Sequence, residues 1–492
     1  MRHAKIHGWA LVVWAVLLGF AAGPAFANAS RPDVRTTALQ IVPVRYDLDL
    51  RPDFKAGRLA GDCRLTIRNA SDRPADVIPL LLYRLFKVTS LKDEAGRDLP
   101  FEHTVESFSD WDVLQAGFIR VRPPAPLAPS ATAVLHIAYE GALAGYPEAM
   151  AYVRDKVDPA FAVFRMETFA YPQPGVPCWE INRAAGLPEF SYRVRTAVPE
   201  SLTVANGGRL AERTVRDGQA VYVYEGLRPD WRIDVAVAPY RILRDERRPL
   251  RVYHFADDAA GAARVMAGMK AAMDLFAGWF GPLPGGDFSV IEVPEGYGSQ
   301  ADYTVVLQTR DAFLDPDKID TLYHEISHLW NVPARDPLPP RFESEGLAMF
   351  LQALARERLD GRADAVAARV ARSRESFRKA AARDAKLAGI PMIDYGKAQR
   401  TDASYTKGMV FFALLHEILG EEAFLAGVRS FVGTYREKGA TAAQFLKHFS
   451  DASPADLASL YRDWVTGAAS SEFLSGTASF AEILGRYRPS GR

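Results

Sequence analysis

The sequence is poor in the residues that staple small chains together. Only two cysteines, Cys63 and Cys178, occur in 492 residues, which excludes a disulfide framework. In an oxidising compartment the two could pair, but two buried free thiols are the plainer expectation. Histidine is scarce as well, nine in all, so any clustering of it carries information. Charge of one sign is not in excess. Lys+Arg and Asp+Glu both number 60, which leaves no electrostatic footprint for nucleic acid as a partner. Beyond the N-terminus no apolar run is long enough to span a bilayer. A length of 492 residues exceeds one ordinary core and suits two or three domains. With 48% apolar and 24% charged residues, the balance is that of a soluble globular protein.

The one long apolar stretch runs from Gly8 to about Phe20. Arg2 and Lys5 precede it, and Ala25-Phe26-Ala27 supplies a small-x-small site before Asn28. This is the pattern of a secretory signal over residues 1–27. The alternative is an uncleaved anchor helix, since Gly8 to Ala27 is just long enough to cross. Cleavage would remove Arg2 and Lys5, taking 60 basic side chains to 58 against 60 acidic ones, a net charge of −2. The expected location is then outside the cytoplasm, in a bacterial periplasm or secreted, with no stable membrane span left. Asn28-Ala29-Ser30 and Asn69-Ala70-Ser71 fit the glycosylation sequon by pattern alone.

From about Ile41 to Tyr240 apolar residues recur every second position. Tyr46, Leu48 and Leu50 alternate with Asp47 and Asp49, and Cys63, Leu65 and Ile67 with Arg64 and Thr66. Phe190, Tyr192 and Val194 form another such run. Short alternating strands with turn signals between them predict an antiparallel β-sandwich-like domain. The pattern changes near Asp245. A long helix is predicted over Ala259–Trp279, strands over Val290–Val293 and Thr304–Leu307, and then a series of helices from Pro316 onward. The boundaries are residues 36–245 for the β-domain, 246–475 for a mainly helical α+β domain, and 476–492 for a C-terminal tail.

The chemistry is concentrated in His324-Glu325-Ile326-Ser327-His328. Residues four apart share a helix face, so both imidazoles can reach one metal ion, with Glu325 placed to take a proton from the attacking water. The flanks suit a helix. Asp315 fits the N-cap, Pro316 the first turn, and Val332-Pro333 the end. A catalytic zinc needs a third protein ligand and an open position. Glu343 and Glu345 both follow closely, and Glu345 is preferred. The scattered His103, His136 and His254 show no ligand spacing, and His416 and His448 are expected to be packing or surface residues.

With Ser344-Glu345-Gly346-Leu347-Ala348, the motif resembles the M1 family of zinc metallopeptidases (gluzincins), the relatives of aminopeptidase N and leukotriene A4 hydrolase. Tyr46-Asp47-Leu48-Asp49-Leu50, Pro177-Cys178-Trp179-Glu180, Phe280-Gly281-Pro282-Leu283-Pro284 and Asp463-Trp464-Val465-Thr466-Gly467 are similar to further segments of that family. The resemblance implies a thermolysin-like catalytic domain and one Zn2+ held by His324, His328 and Glu345. It further implies Glu325 as general base, and Tyr405, in Ser404-Tyr405-Thr406-Lys407-Gly408, as the phenol that steadies the oxyanion.

Three departures stand out. Sixteen residues separate His328 from Glu345, a slightly shorter loop than the family's. Gly298-Ser299-Gln300-Ala301-Asp302 stands where the family has G-A-M-E-N; aligned on Gly298, Ala301 takes the slot of the acid that binds a free α-amine, and aligned without a gap after Pro294, Asp302 falls there instead. Gly298, Ser299 and Asp302 are the expected substrate-binding residues, with Glu295 and Glu167 as other possible amine partners. The family's C-terminal helical domain is missing after Gly467, which implies a more open site. The expected function is an exported zinc metallopeptidase acting on peptides, of aminopeptidase type. The alternatives are an endopeptidase or specialised peptidase that ignores the N-terminus, and a binding protein on a peptidase scaffold. The sequence gives no oligomeric state.

Overall fold

The computed structural model describes residues 41–488 except 185, 187, 284, 285 and 454. The signal-sequence reading of residues 1–27 and the Asn28 sequon lie outside them.

Alternation builds the N-terminal half. The strand Ile41–Asp53 pairs antiparallel with Arg58–Asn69, in a register that sets Tyr46 opposite Leu65 and Leu48 opposite Cys63. These four side chains face inward and are buried, while the polar residues between them face out. Ile41–Asp53 also pairs parallel with Ser191–Pro199, inside a seven-stranded sheet. A four-stranded sheet that includes Ile78–Tyr83 and Trp111–Val121 contributes to the same core. The result is a sandwich-like β-domain, largely antiparallel. Cys63 is buried and Cys178 half-buried, and both are free. Asn69 is no acceptor for glycan in this fold. It is fully buried, and its amide donates to the carbonyls of Arg73 and Leu127 at 2.7 and 2.8 Å.

The second half opens with a five-stranded sheet. Its first hairpin, Arg241–Arg244 with Leu250–His254, straddles position 245. The sheet therefore begins four residues before the change in periodicity, because these two strands are too short to show a period of their own. The helix Ala259–Phe280 covers the sheet, and the helices Asp320–Ser327, Leu347–Leu359 and Ala403–Leu419 pack behind it in one large apolar core. Residues 476–488 are not a loose tail. The helix Phe480–Gly485 buries Ile483 and Leu484 in that core, and Tyr487 accepts a hydrogen bond from the Trp464 indole at 3.1 Å. A six-residue helix with a capping box is too short to stand out by periodicity.

Candidate metal centre

The motif helix is shaped by its ends. Asp315 accepts from the Asp317 N–H at 2.9 Å and opens a 3₁₀ turn at Pro316–Lys318, from which Asp320–Ser327 continues. A second 3₁₀ turn, His328–Trp330, closes it before extended Asn331. Leu322 and Ile326 anchor the buried face. Ligand spacing then brings the His324 and His328 rings to 4.8 Å, nearly perpendicular at 89°.

Glu345 reaches the same point from a single π turn, Phe342–Gly346, at the start of the next helix. Such turns insert one extra residue and re-aim a side chain. Its Oε2 lies 3.3 Å from His324 Nε2 and 3.4 Å from His328 Nε2. One ligand atom from each of the three residues falls within 4.8 Å of the others. Two imidazoles and one carboxylate converging in a buried site form the donor set of a catalytic zinc with an open position. Glu343 stays outside this group, its carboxyl pushed up to about 7 by burial.

What brings Glu345 close is a backbone contact. A Cβ on Gly346 would stand 2.7 Å from the Gly408 Cα, and one on Gly408 would stand 2.8 Å from the Gly346 Cα. Only a pair of glycines lets the π turn and the Ala403–Leu419 helix touch in this way. The helix carries Tyr405 in its first turn, and the contact lays its ring over His324. Burial and the neighbouring Glu345 carboxylate push the Tyr405 phenol well above its usual value, so it remains an O–H donor.

Glu325 is 9% exposed and has no ion-pair partner among the described residues. Burial raises its carboxyl, and the charges of His324 and His328 partly offset this. Burial acts on Glu345 in the same sense, but the Arg341 guanidinium and both histidines hold it well below the ordinary carboxylate range. Arg341 bonds directly to Glu345 from a left-handed backbone position, φ 65°. The sequence reading missed this arginine, although its spacing of four from Glu345 is that of a helical ion pair. It also missed Asn331, whose amide lies 2.8 Å from His328 Nδ1.

The stretch predicted to bind substrate is largely occupied by its own structure. Gly298 is at φ 72°. The Ser299 hydroxyl accepts from the Thr309 N–H and from Gln308, both at 3.1 Å. Asp302 is buried in a turn, where its carboxylate accepts from the N–H groups of Thr304 and Val305 at 2.6 and 2.7 Å. Burial and the nearby Asp234 push that carboxyl up to about 7. Asp302 is thus engaged by its own turn. It closes the tight connection between Gln300–Ala301 and Val305–Thr309. Glu295 is exposed on a preceding turn and is not one of the converging metal-ligand residues.

Glu167 meets a charged cluster instead. Arg232 donates to its Oε2 and Gln300 to its Oε1, both at 3.0 Å. Gln300 in turn accepts from Arg165 and Arg232 at 3.0 Å, and the fully buried Arg165 pairs with the equally buried Asp155. Periodicity gives no hint of this network, because its members come from three separate segments.

Residues 315–464 match the family model described as the peptidase family M1 domain. No curated protein matches the sequence. Among solved structures, the M1 zinc metallopeptidase of Deinococcus radiodurans aligns with TM-score 0.63 at 20% identity, over 87% of this chain and 94% of that one. A mutant of that enzyme, described as bound to the substrate Tyr-Ser-Ala, aligns with TM-score 0.61 at 19% identity over the same shares. A two-domain M1 zinc metallopeptidase mutant bound to L-arginine aligns with TM-score 0.57 at 19% identity, over 90% of this chain and 95% of that one. Residues 315–464 thus form a peptidase family M1 domain, set in a two-part fold like that of the M1 zinc metallopeptidases.

Proposed function

We propose that this zinc peptidase cleaves peptide bonds with Glu325 as general base and Tyr405 as oxyanion donor, and that it does not depend on a free substrate N-terminus. The convergence of His324, His328 and Glu345 on one point carries the hydrolytic part of the reading. Zinc held there would polarise the scissile carbonyl and acidify the attacking water. Glu325, buried and unpaired, takes the proton from that water and later delivers it to the leaving amine. The Tyr405 O–H, kept protonated, donates to the oxyanion of the tetrahedral intermediate. Glu325→Gln should retain zinc and lose turnover, and near-normal turnover in that variant would refute the base assignment.

The independence from the N-terminus rests on the carboxylates. Asp302 is spent on its turn, and both Glu167 oxygens are already engaged by Arg232 and Gln300. The second reading, an aminopeptidase anchored by Glu167, draws support from the relatives described with a bound tripeptide or amino acid. A peptide and its N-acetylated twin separate the two. Equal cleavage supports the first reading, and loss of the acetylated substrate supports the second.

Export is part of the proposal, on the pattern of residues 1–27. It is tested by the mass of the mature chain, which should begin at Asn28. No helix among the described residues is long and apolar enough to cross a membrane.

A further inference from the structure

A cavity of about 480 Å³ lies where the two halves of the chain meet, walled mainly by two hairpins. One belongs to the β-domain, Arg209–Arg216 with Gln219–Glu225, and contributes Arg209, Arg213, Tyr222 and Tyr224. The other opens the second half, Arg241–Arg244 with Leu250–His254, and contributes Arg244, Arg251 and Tyr253. The three tyrosines are buried and form the floor, while Arg209, Arg213 and Arg244 are exposed at the rim. The Tyr224 and Tyr253 hydroxyls lie 3.3 Å apart and join the hairpins across that floor. The cavity shares no residue with the metal group.

Four of the ten lining residues are arginines and none is an acid. Arg209 is neutralised by Glu225 at 2.6 Å. Arg251 is 9% exposed, and its Nε donates to the Ser289 hydroxyl at 3.2 Å. Its buried Nη2 has no hydrogen-bond partner, and the Asp287 carboxylate stands 3.6 Å away. Arg213 donates to the Tyr222 hydroxyl at 3.2 Å, and Glu200 acts on it only from beyond ion-pair range. Arg244 has no ion-pair partner among the described residues, since the adjacent Asp245 is paired with Lys270. Two positive charges are therefore left with no carboxylate in contact. In the strand register Arg244 also stands directly opposite Arg251. Opposite residues share a face, and like charges placed there destabilise the strand pair. The hairpin thus holds two guanidiniums side by side at the wall of a cavity, where an anion would relieve their repulsion.

We propose that this cavity binds a phosphate monoester, with Arg244 and Arg251 on the phosphate and Arg213 completing the charge from the facing hairpin. A monoester carries about −1.5 to −2 charges at neutral pH, which matches the two uncompensated arginines. A single carboxylate or a sulfate ester carries only one. Guanidinium forks fit phosphate oxygens two at a time. The space is larger than bare phosphate fills and lies within the roughly 300–1,000 Å³ of small-molecule sites, so the organic part of the ester has room against the tyrosine rings. Neither the site nor its ligand depends on the peptidase reading.

The test is calorimetric titration of the zinc-loaded protein with phenyl phosphate, inorganic phosphate and phenyl sulfate, at neutral pH and fixed ionic strength because salt screens exposed charges. Phenyl phosphate should bind about tenfold more tightly than phenyl sulfate, its monoanionic twin, the ratio expected for one charge-assisted contact. A lead of phenyl phosphate over inorganic phosphate supports the organic ester, and equal binding of those two overturns the ester in favour of free phosphate. Arg244→Gln and Arg213→Gln should each weaken phenyl phosphate about tenfold, with zinc content unchanged. Both positions are exposed, so the fold accommodates the change. The rise in Tm that phenyl phosphate gives the wild type should shrink in both variants. Phosphate held by the active-site zinc would be indifferent to either substitution. Wild-type affinity in either variant, or equal binding of phenyl sulfate, therefore overturns the site.

Discussion

The Tyr405 ring lies over the His324 imidazole, with centroids 6.0 Å apart and planes only 11° from parallel. The stack fixes the phenol beside the metal group, on the same side as Glu345. If the O–H stabilises charge that appears only in the transition state, its removal should cost rate and not binding. Tyr405→Phe keeps the stacked ring and deletes the donor. It should lower kcat by roughly 10²–10³, the range for loss of one oxyanion donor, with KM little changed and zinc content intact. A kcat within twofold of wild type would remove Tyr405 from the chemistry.

Asn331 faces the far nitrogen of His328. His328 turns Nε2 toward Glu345, so a metal there needs the Nε2 lone pair and the ring proton on Nδ1. The Asn331 amide then receives that proton on its oxygen, a half-turn from an orientation with Nδ2 toward the ring. His324 has no matching partner, since its Nδ1 is buried without a hydrogen bond. The support on His328 is thus the one that holds a ligand ring in place. Asn331→Ala should weaken zinc binding by about 10–100-fold, as for other hydrogen-bond partners of metal ligands. Competition against a chelator of known affinity reads this directly, and an unchanged dissociation constant would show that His328 needs no such partner.

The Gly346–Gly408 contact admits no side chain on either strand of the crossing. At Gly408 the clash is with backbone, which cannot rotate away. Gly408→Ala should therefore push the Tyr405 helix off the π turn and cost about 1–3 kcal/mol of stability, the usual price of overpacking. Turnover should fall with it, because Tyr405 and Glu345 separate. A variant with wild-type Tm and kcat would mean that the two elements have slack.

Local periodicity explains which of these features were legible in advance. The His324–His328 pair is a spacing of four on one helix, and its cap at Asp315 lies in the same short window. The strands of the β-half announced themselves because one face of each is buried and the other wet. Glu345 was indicated by family resemblance, but the π turn that aims it was not, since nothing in Phe342–Gly346 departs from an ordinary helical start. Gly346 and Gly408 stood in view inside the two matched segments, yet their contact joins residues 62 positions apart in sequence. Asp302 was legible only in part, for a related reason. Its position in the altered segment suggested a ligand-facing acid, while the turn that consumes it depends on the pairing of Gln300–Ala301 with Val305–Thr309. The Arg165–Arg232–Gln300 network is wholly tertiary, so only the fold could reveal it.

Lys407, two residues beyond Tyr405, supplies a prediction with a definite sign. It is fully buried, its Nζ has no hydrogen-bond partner, and the nearest aromatic face is Tyr395 with its centroid at 5.5 Å. Burial pulls its pKa from 10.5 down to about 7. Between those values the unfolded chain holds a proton that the folded chain has released. Stability must then rise with pH across that window, by about 1.4 kcal/mol per pH unit from this group. Below pH 7 the folded protein carries the full cost of a charged, unpartnered ammonium in an apolar core. Lys407→Met keeps the length of the side chain and removes the titration. Its Tm should exceed that of wild type at pH 7, and the gap should close steadily toward pH 9. A Tm difference that stays constant from pH 7 to 9 would show that Lys407 finds a partner in solution and titrates near its ordinary value.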